Sequence, residues 1–90
     1  MTPSQLRAFH LVAESGSFSA AARESGLSQP NLSGQVTALE KAHGVRLFDR
    51  LGRSVVPTET GRQLQEITTR LFAAQDEAQA LLAGEQALTR

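Results

Sequence analysis

Apolar residues recur at helical spacing in several stretches of this 90-residue chain, and one short stretch between them breaks that period. Leu6, Phe9 and Ala13 supply the buried face of a first helix, with Thr2-Pro3 as its cap and first turn. Leu32, Val36 and Leu39 recur at i, i+4 and i+7 and form one stripe facing a core. Their helix runs from Ser28 as N-cap to Gly44 as its stop, with Pro30 tolerated in the first turn. A shorter helix fits between these two. It starts after Gly16-Ser17-Phe18, with Ser19 able to cap the N–H groups of Ala20 to Glu24, and ends at Gly26. Ala21 and Ala22 would let two helices cross closely, with Phe18 and Leu27 closing the ends of the contact. Helix propensity accounts for the alanines equally well.

The period changes at Leu47–Leu51 and Ser54–Pro57, two short extended runs joined through Gly52-Arg53, with Val55 available to pack beneath the hairpin. From Thr58 onward it changes again. Leu64, Ile67, Leu71, Ala74, Ala78 and Leu81 are spaced 3, 4, 3, 4 and 3 residues apart, a heptad seam rather than a face fitted to a globular core. A helix over residues 58–83 would be roughly 39 Å long, too long for so small a domain to cover. The seam therefore predicts a dimerisation helix. The alternative is a helix folded back on its own chain, and the seam alanines make any pairing weaker or closer than an all-leucine one. The last seven residues, GEQALTR, are expected to be frayed helix or the start of a hinge.

The predicted fold class is mainly α: a winged helix-turn-helix of three helices and a two-stranded β wing, followed by a long linker helix. The winged unit is placed at residues 1–58, with the helix-turn-helix at about 18–37 and the wing at about 46–57, and the linker helix at 59–90. This layout suits a DNA reader, because a helix in the major groove must expose polar side chains near its start and pack its other face on a supporting helix. Gln29, Asn31, Ser33, Gly34 and Thr37 lie opposite the apolar stripe. Amides can pair bidentately with adenine, and hydroxyls reach phosphate oxygens. A solvated polar face would look similar. The DNA reading gains from the absence of charge at the helix start and from the arginine-bearing hairpin.

Charge sharpens this picture. The chain is neutral overall, with nine basic and nine acidic residues. From Ser28 to Arg62 there are five bases (Lys41, Arg46, Arg50, Arg53, Arg62) against three acids (Glu40, Asp49, Glu59). From Gln63 to Glu85 one base, Arg70, stands against four acids. Arg50 and Arg53 suit phosphate or a narrow minor groove, and Asp49 can pair with one arginine at the wing. Composition otherwise excludes. There are no cysteines for disulfides or a thiolate metal site, no stretch long and apolar enough to span a membrane, and no secretory leader pattern at the first residues. No nucleotide-binding loop, zinc spacing or nucleophile with a base is present. No cofactor, metal or catalysis is expected, and the expected location is the cytoplasm. His10 and His43 are assigned no function.

Gly16-Ser17-Phe18, Ala21-Ala22, Leu27-Ser28-Gln29-Pro30, Ser33, Leu39-Glu40, Gly44-Val45-Arg46-Leu47-Phe48-Asp49-Arg50 and Thr58-Glu59-Thr60-Gly61 together resemble the LysR-type transcriptional regulators. The match covers nearly the whole chain. The resemblance implies a bacterial regulator that binds an interrupted palindrome as a homodimer through the linker helix. It also implies that the helix starting at Gln29 enters the major groove, and that the wing with Arg50 and Arg53 lies along the backbone or in the minor groove. Gln29, Pro30 and Ser33 match the family's contact residues. Gly34 departs, standing where the family very often has arginine, and Asn31 replaces a residue that is usually small or apolar. The polar face of the helix, the basic wing and the resemblance together give the expected DNA-contacting set Ser28, Gln29, Pro30, Asn31, Ser33, Gly34, Thr37, Arg50 and Arg53. LysR-type regulators resemble this sequence only in their N-terminal part. The effector-binding domain that normally follows is expected to be absent after Arg90, leaving a DNA-binding fragment that responds to no small molecule. The competing reading is a winged-helix interaction module without DNA binding, favoured slightly by neutral charge and Gly34.

Overall fold

In the computed structural model the backbone is described for residues 1–88 and side chains for residues 1–84. The elements are α1 (Pro3–Ser15), α2 (Phe18–Ser25), α3 (Gln29–His43), β1 (Phe48–Leu51), β2 (Ser54–Pro57) and α4 (Glu59–Leu88). The chain is mainly helical, and the two strands pair as one antiparallel hairpin.

α1 begins on a capping box. The Gln5 N–H donates to Thr2 Oγ1 at 3.1 Å, and the Thr2 N–H donates back to Gln5 Oε1 at 3.2 Å. Its buried residues are Ala8, Phe9 and Val12, whereas Leu6 and Ala13 pack only partly against the core. The expected face was thus turned by about one residue, because α1 is covered on one side by α3 and on another by α4. α2 begins two positions earlier than expected. Ser17, not Ser19, is the N-cap, with extended backbone and its Oγ accepting the Ala20 N–H at 3.0 Å. Burial of Phe18 as the first helical residue sets that start. Ala21 is buried at the crossing, but Leu27 is 42% exposed and does not close it.

α3 follows its predicted bounds, with Ser28 as N-cap, Gly44 left-handed at its end, and Leu32, Val36 and Leu39 buried. These join Phe9, Val12, Phe18, Ala21, Leu47, Phe48 and Val55 in one core. Phe48 is its aromatic hub, 5.2 Å from the Phe9 ring centroid and 6.2 Å, edge-on, from Phe18. Phe48 pairs with Pro57 and Leu51 with Ser54, leaving Gly52-Arg53 as a two-residue loop. Gly52 has φ 63, and a left-handed first loop residue matches the twist of the flanking strands. The Val55 N–H donates to the Gly16 carbonyl at 2.9 Å and ties the hairpin to the turn before α2.

α4 starts from a dense junction. Thr58 donates through its N–H to the Leu47 carbonyl at 3.0 Å and through its hydroxyl to the Arg46 carbonyl at 2.6 Å. Its Oγ1 also accepts the Gly61 N–H at 3.1 Å. A β-carbon at Gly61 would fall inside contact distance of the Leu47 carbonyl oxygen, so the close approach of helix to wing needs glycine there. On the other side of Leu47, its N–H donates to Glu40 Oε2 at 2.7 Å. Further on, α4 lies against α1. Thr68, fully buried, has its hydroxyl 2.9 Å from His10 Nδ1 and 3.2 Å from the Gln65 carbonyl oxygen, so a hydrogen bond joins α4 to α1 here. Gln65 donates to Glu14 at 3.0 Å, and Phe72 packs tilted against His10 with Arg7 over its ring. Regular helix continues to Leu88, through five of the seven residues expected to fray, and the remaining two lie outside the described residues.

Candidate nucleic-acid interface

The polar face of α3 is built by the same geometry that buries its stripe. With Leu32, Val36 and Leu39 turned into the core, Gln29, Pro30, Asn31, Gly34 and Thr37 are exposed and Ser33 is half-buried. Ser28 is exposed too, but its hydroxyl accepts the Asn31 N–H at 3.1 Å and holds the helix start. The first turn of α3 carries no acid and its last turn carries Lys41 and His43, so the positive end of the helix dipole is unopposed where Gln29 and Pro30 stand. Gly34 has nothing within 4 Å of where a side chain would begin.

The two flanks of this face differ. On the wing flank, Gln29 shares a cleft of about 390 Å³ with Phe18, Ser19, Arg50, Gly52 and Arg53. The start of α3 and the wing arginines, 21 or more residues apart in sequence, therefore open onto one space. On the α1 flank, Asn31 and Gln35 line a smaller hollow of about 150 Å³ with Ser4, Arg7 and Leu27. The sequence reading missed Ser4, Arg7 and Gln35, since nothing in local periodicity says which helix end lies beside α3.

The wing's three arginines have different partners. Arg46 is engaged with Asp49 at 2.7 Å. Arg50 lies with its guanidinium 4.9 Å from the centroid of the Phe18 ring. Arg53 occupies the loop, and among the described residues no carboxylate pairs with Arg50 or Arg53. One acid thus engages the exposed Arg46 and leaves Arg50 and Arg53 as the cations lining the cleft. Ser19 was read as a helix cap and Phe18 as closing one end of the helix crossing, neither as part of the DNA site; the i, i+2 relation of Phe48 and Arg50 on one strand face was the available sign that Arg50 would sit over the aromatic core.

The seam residues of α4 separate from the core after the first. Leu64 is half-buried, while Ile67, Leu71, Ala74, Ala78 and Leu81 are exposed, with Ile67 at 53%, Leu71 at 46% and Leu81 at 65%. At the Leu64 end the seam runs into an apolar hollow of about 240 Å³ lined by Met1, Leu39, His43, Val45, Leu47 and Thr60. Among the described residues no group of His, Cys, Asp or Glu is arranged to hold a metal ion, and no helix is long and apolar enough to cross a membrane.

The chain is similar to known proteins in sequence and in fold. Residues 3–62 match the family model described as bacterial regulatory helix-turn-helix protein, lysR family. The chain is 44% identical over 82 residues to an HTH-type transcriptional regulator in the ibpB-leuC intergenic region of Azotobacter vinelandii, covering 91% of this chain and 57% of that protein. It thus spans little more than half the length of that relative. Among solved structures, it superposes on the BenM DBD in complex with catB site 1 DNA with a TM-score of 0.83, at 31% identity and 92% coverage of both chains. It also superposes on the CbnR DBD in its DNA complex with a TM-score of 0.78, at 32% identity over the whole of both chains.

Proposed function

From the fact that this chain belongs to the lysR family of bacterial regulatory helix-turn-helix proteins, we propose that it binds double-stranded DNA sequence-specifically as a homodimer, at an interrupted palindrome. It carries the DNA-binding domain of a LysR-type regulator, with winged fold and linker helix. In this reading residues 1–58 read DNA and residues 59–90 join two copies, in the bacterial cytoplasm.

The observation that carries the reading is the shared cleft of Gln29, Arg50 and Arg53. An amide at the start of a groove-seeking helix and two guanidinium groups beside it, without a carboxylate partner among the described residues, divide the work of recognition. Gln29, with Asn31 on the other flank, addresses base edges, and adenine offers the matching donor and acceptor. Arg50 and Arg53 address phosphates, and Ser28, Pro30, Ser33, Gly34 and Thr37 line the approach. The missing charge at Gly34 leaves the affinity of α3 more dependent on the wing.

The exposed seam supports pairing with a second copy. An antiparallel pair centred between Phe72 and Ala73 sets Leu71 against Ala74 of the second copy, Ile67 against Ala78 and Leu64 against Leu81. Large residues then oppose small ones, whereas parallel pairing would set Ala74 against Ala74 and Ala78 against Ala78. The same register brings Arg70 beside Glu77 of the second copy and seats Leu81 at the mouth of the apolar hollow. Since the chain has no native cysteine, Leu64→Cys and Leu81→Cys report on this directly. Each alone stays uncrosslinked, and their mixture crosslinks; crosslinking of either variant with itself means parallel pairing.

Site selection from a random double-stranded DNA pool tests the function. Enrichment of an interrupted palindrome is expected, relaxed with Gln29→Ala and weakened at all sites with Arg53→Ala. No enrichment at low salt by a folded dimer would point instead to a protein-interaction module, which has no salt-dependent DNA binding.

A further inference from the structure

The wing meets the start of α2 twice, at the preceding turn and at its first residue. The Val55 N–H is bonded to the Gly16 carbonyl, and Arg50, directly across the hairpin from Val55, lies over the ring of Phe18. Phe48, Arg50 and Val55 share one face of the two-stranded ribbon, because Phe48 and Arg50 are two residues apart and Val55 is the cross-strand partner. Phe48 and Val55 are buried on that face. Arg50 continues it outward, so its side chain turns beneath the hairpin toward α2 and α3 instead of away from the body of the protein. It ends in the cleft that also holds Gln29.

An exposed arginine of this length has many rotamers, and ordering it on DNA opposes binding. The ring of Phe18 reduces that loss beforehand. Phe18 is almost wholly buried, and Phe48 meets it edge-on, which leaves its position no freedom to follow a wandering guanidinium. No carboxylate among the described residues competes for Arg50, and the nearest wing acid, Asp49, is taken by Arg46.

We propose that Phe18 is a positioning residue for Arg50, holding its guanidinium beside Gln29 so that the two meet adjacent groups of one DNA strand, a phosphate and the base edge next to it. The inference rests on the reading of α3 and the wing as the DNA-binding surface. It assigns to an aromatic residue of the core a share in DNA affinity that its distance from the surface hides. Arg53, at the loop, lies over no ring among the described residues.

A double-mutant cycle on a DNA fragment carrying the selected site tests it, using the wild-type chain, Phe18→Leu, Arg50→Ala and the double variant. Arg50→Ala is expected to weaken binding and to lower the salt slope by about one unit, as loss of one phosphate contact does. Phe18→Leu is expected to weaken binding about two- to fivefold in the wild-type background, the range for an exposed cation–π contact. In the Arg50→Ala background it should cost nothing more. An equal loss in both backgrounds would overturn the proposal, since Phe18 would then act through the fold alone. Wild-type binding with no effect of Arg50→Ala would overturn it while leaving the DNA reading intact; no binding by the wild-type chain would overturn both. If Phe18→Leu does not fold, NMR of the wild-type chain decides. Upfield ring-current shifts of the Arg50 δ-protons support the proposal, and random-coil shifts sink it.

Discussion

The three-helix head and the α4 helix draw on the same residue types at the same spacing, yet they end in opposite environments. In the head, Leu32, Val36 and Leu39 on α3 are all buried, each covered by α1, α2 or the wing. On α4, Ile67, Leu71 and Leu81 are about half or more exposed, and Leu82 beside them is 62% exposed. The head completes its core within one chain, whereas α4 packs only its first half, on α1 and the wing. Periodicity therefore tells that a face will be covered and leaves open by which molecule. Head stability should be intrinsic to the chain, while the seam of α4 should respond to protein concentration.

The strongest way to break this contrast is through the head. Leu32→Ala removes a fully buried side chain and should lower stability by about 3–4 kcal/mol, read by chemical denaturation. That loss should be the same at every protein concentration. The matching change on α4, Ile67→Glu with Leu71→Glu, should leave the circular dichroism of the head intact and make the chain monomeric in sedimentation. Its affinity for a two-half-site DNA should fall about a hundredfold, the scale of lost bivalency, and its affinity for a single half-site should barely move. Equal loss at both sites would mean that the seam supports the head and not a pair. Gly61→Ala probes the boundary between the regions. The Leu47 carbonyl and Pro57 must yield to the new methyl, at about 2 kcal/mol, with altered packing of the wing visible by amide exchange around Thr58. The smallest effect is a gain: Gly34→Ala, on an open and exposed part of α3, should raise stability by about 1 kcal/mol in thermal melts.

What could be read beforehand follows the same division. The α3 stripe, its caps at Ser28 and Gly44, and β2 from Ser54 to Pro57 were legible because each depends on neighbours within a few residues. Ser17 in place of Ser19 was a near miss between two competent caps, decided by where Phe18 had to go. Leu27 looked like a core residue and is not one: it lines the open hollow beside Ser4 and Arg7 of α1 and stays 42% exposed. Of the candidate interface, the polar face of α3 was legible, and so was the basic character of the wing. The cleft that joins Gln29 to Arg50 was not, nor was the hold of Phe18 on Arg50, because both need a register between residues far apart in sequence. His10, Thr68 and Glu40 were likewise silent. Their hydrogen bonds cross from one element to another, and a single polar residue on an otherwise ordinary face gives no hint of its partner.

The junction at Thr58 and Gly61 also has a mechanical meaning. Its three Thr58 bonds and the glycine contact lock α4 to the base of the wing, so the two turn as one body. The ties of Gln65, Thr68 and Phe72 to α1 fix the near half of the helix as well, so only the stretch beyond Phe72, about 24 Å for its 16 residues to Leu88, projects from the head as a spacer.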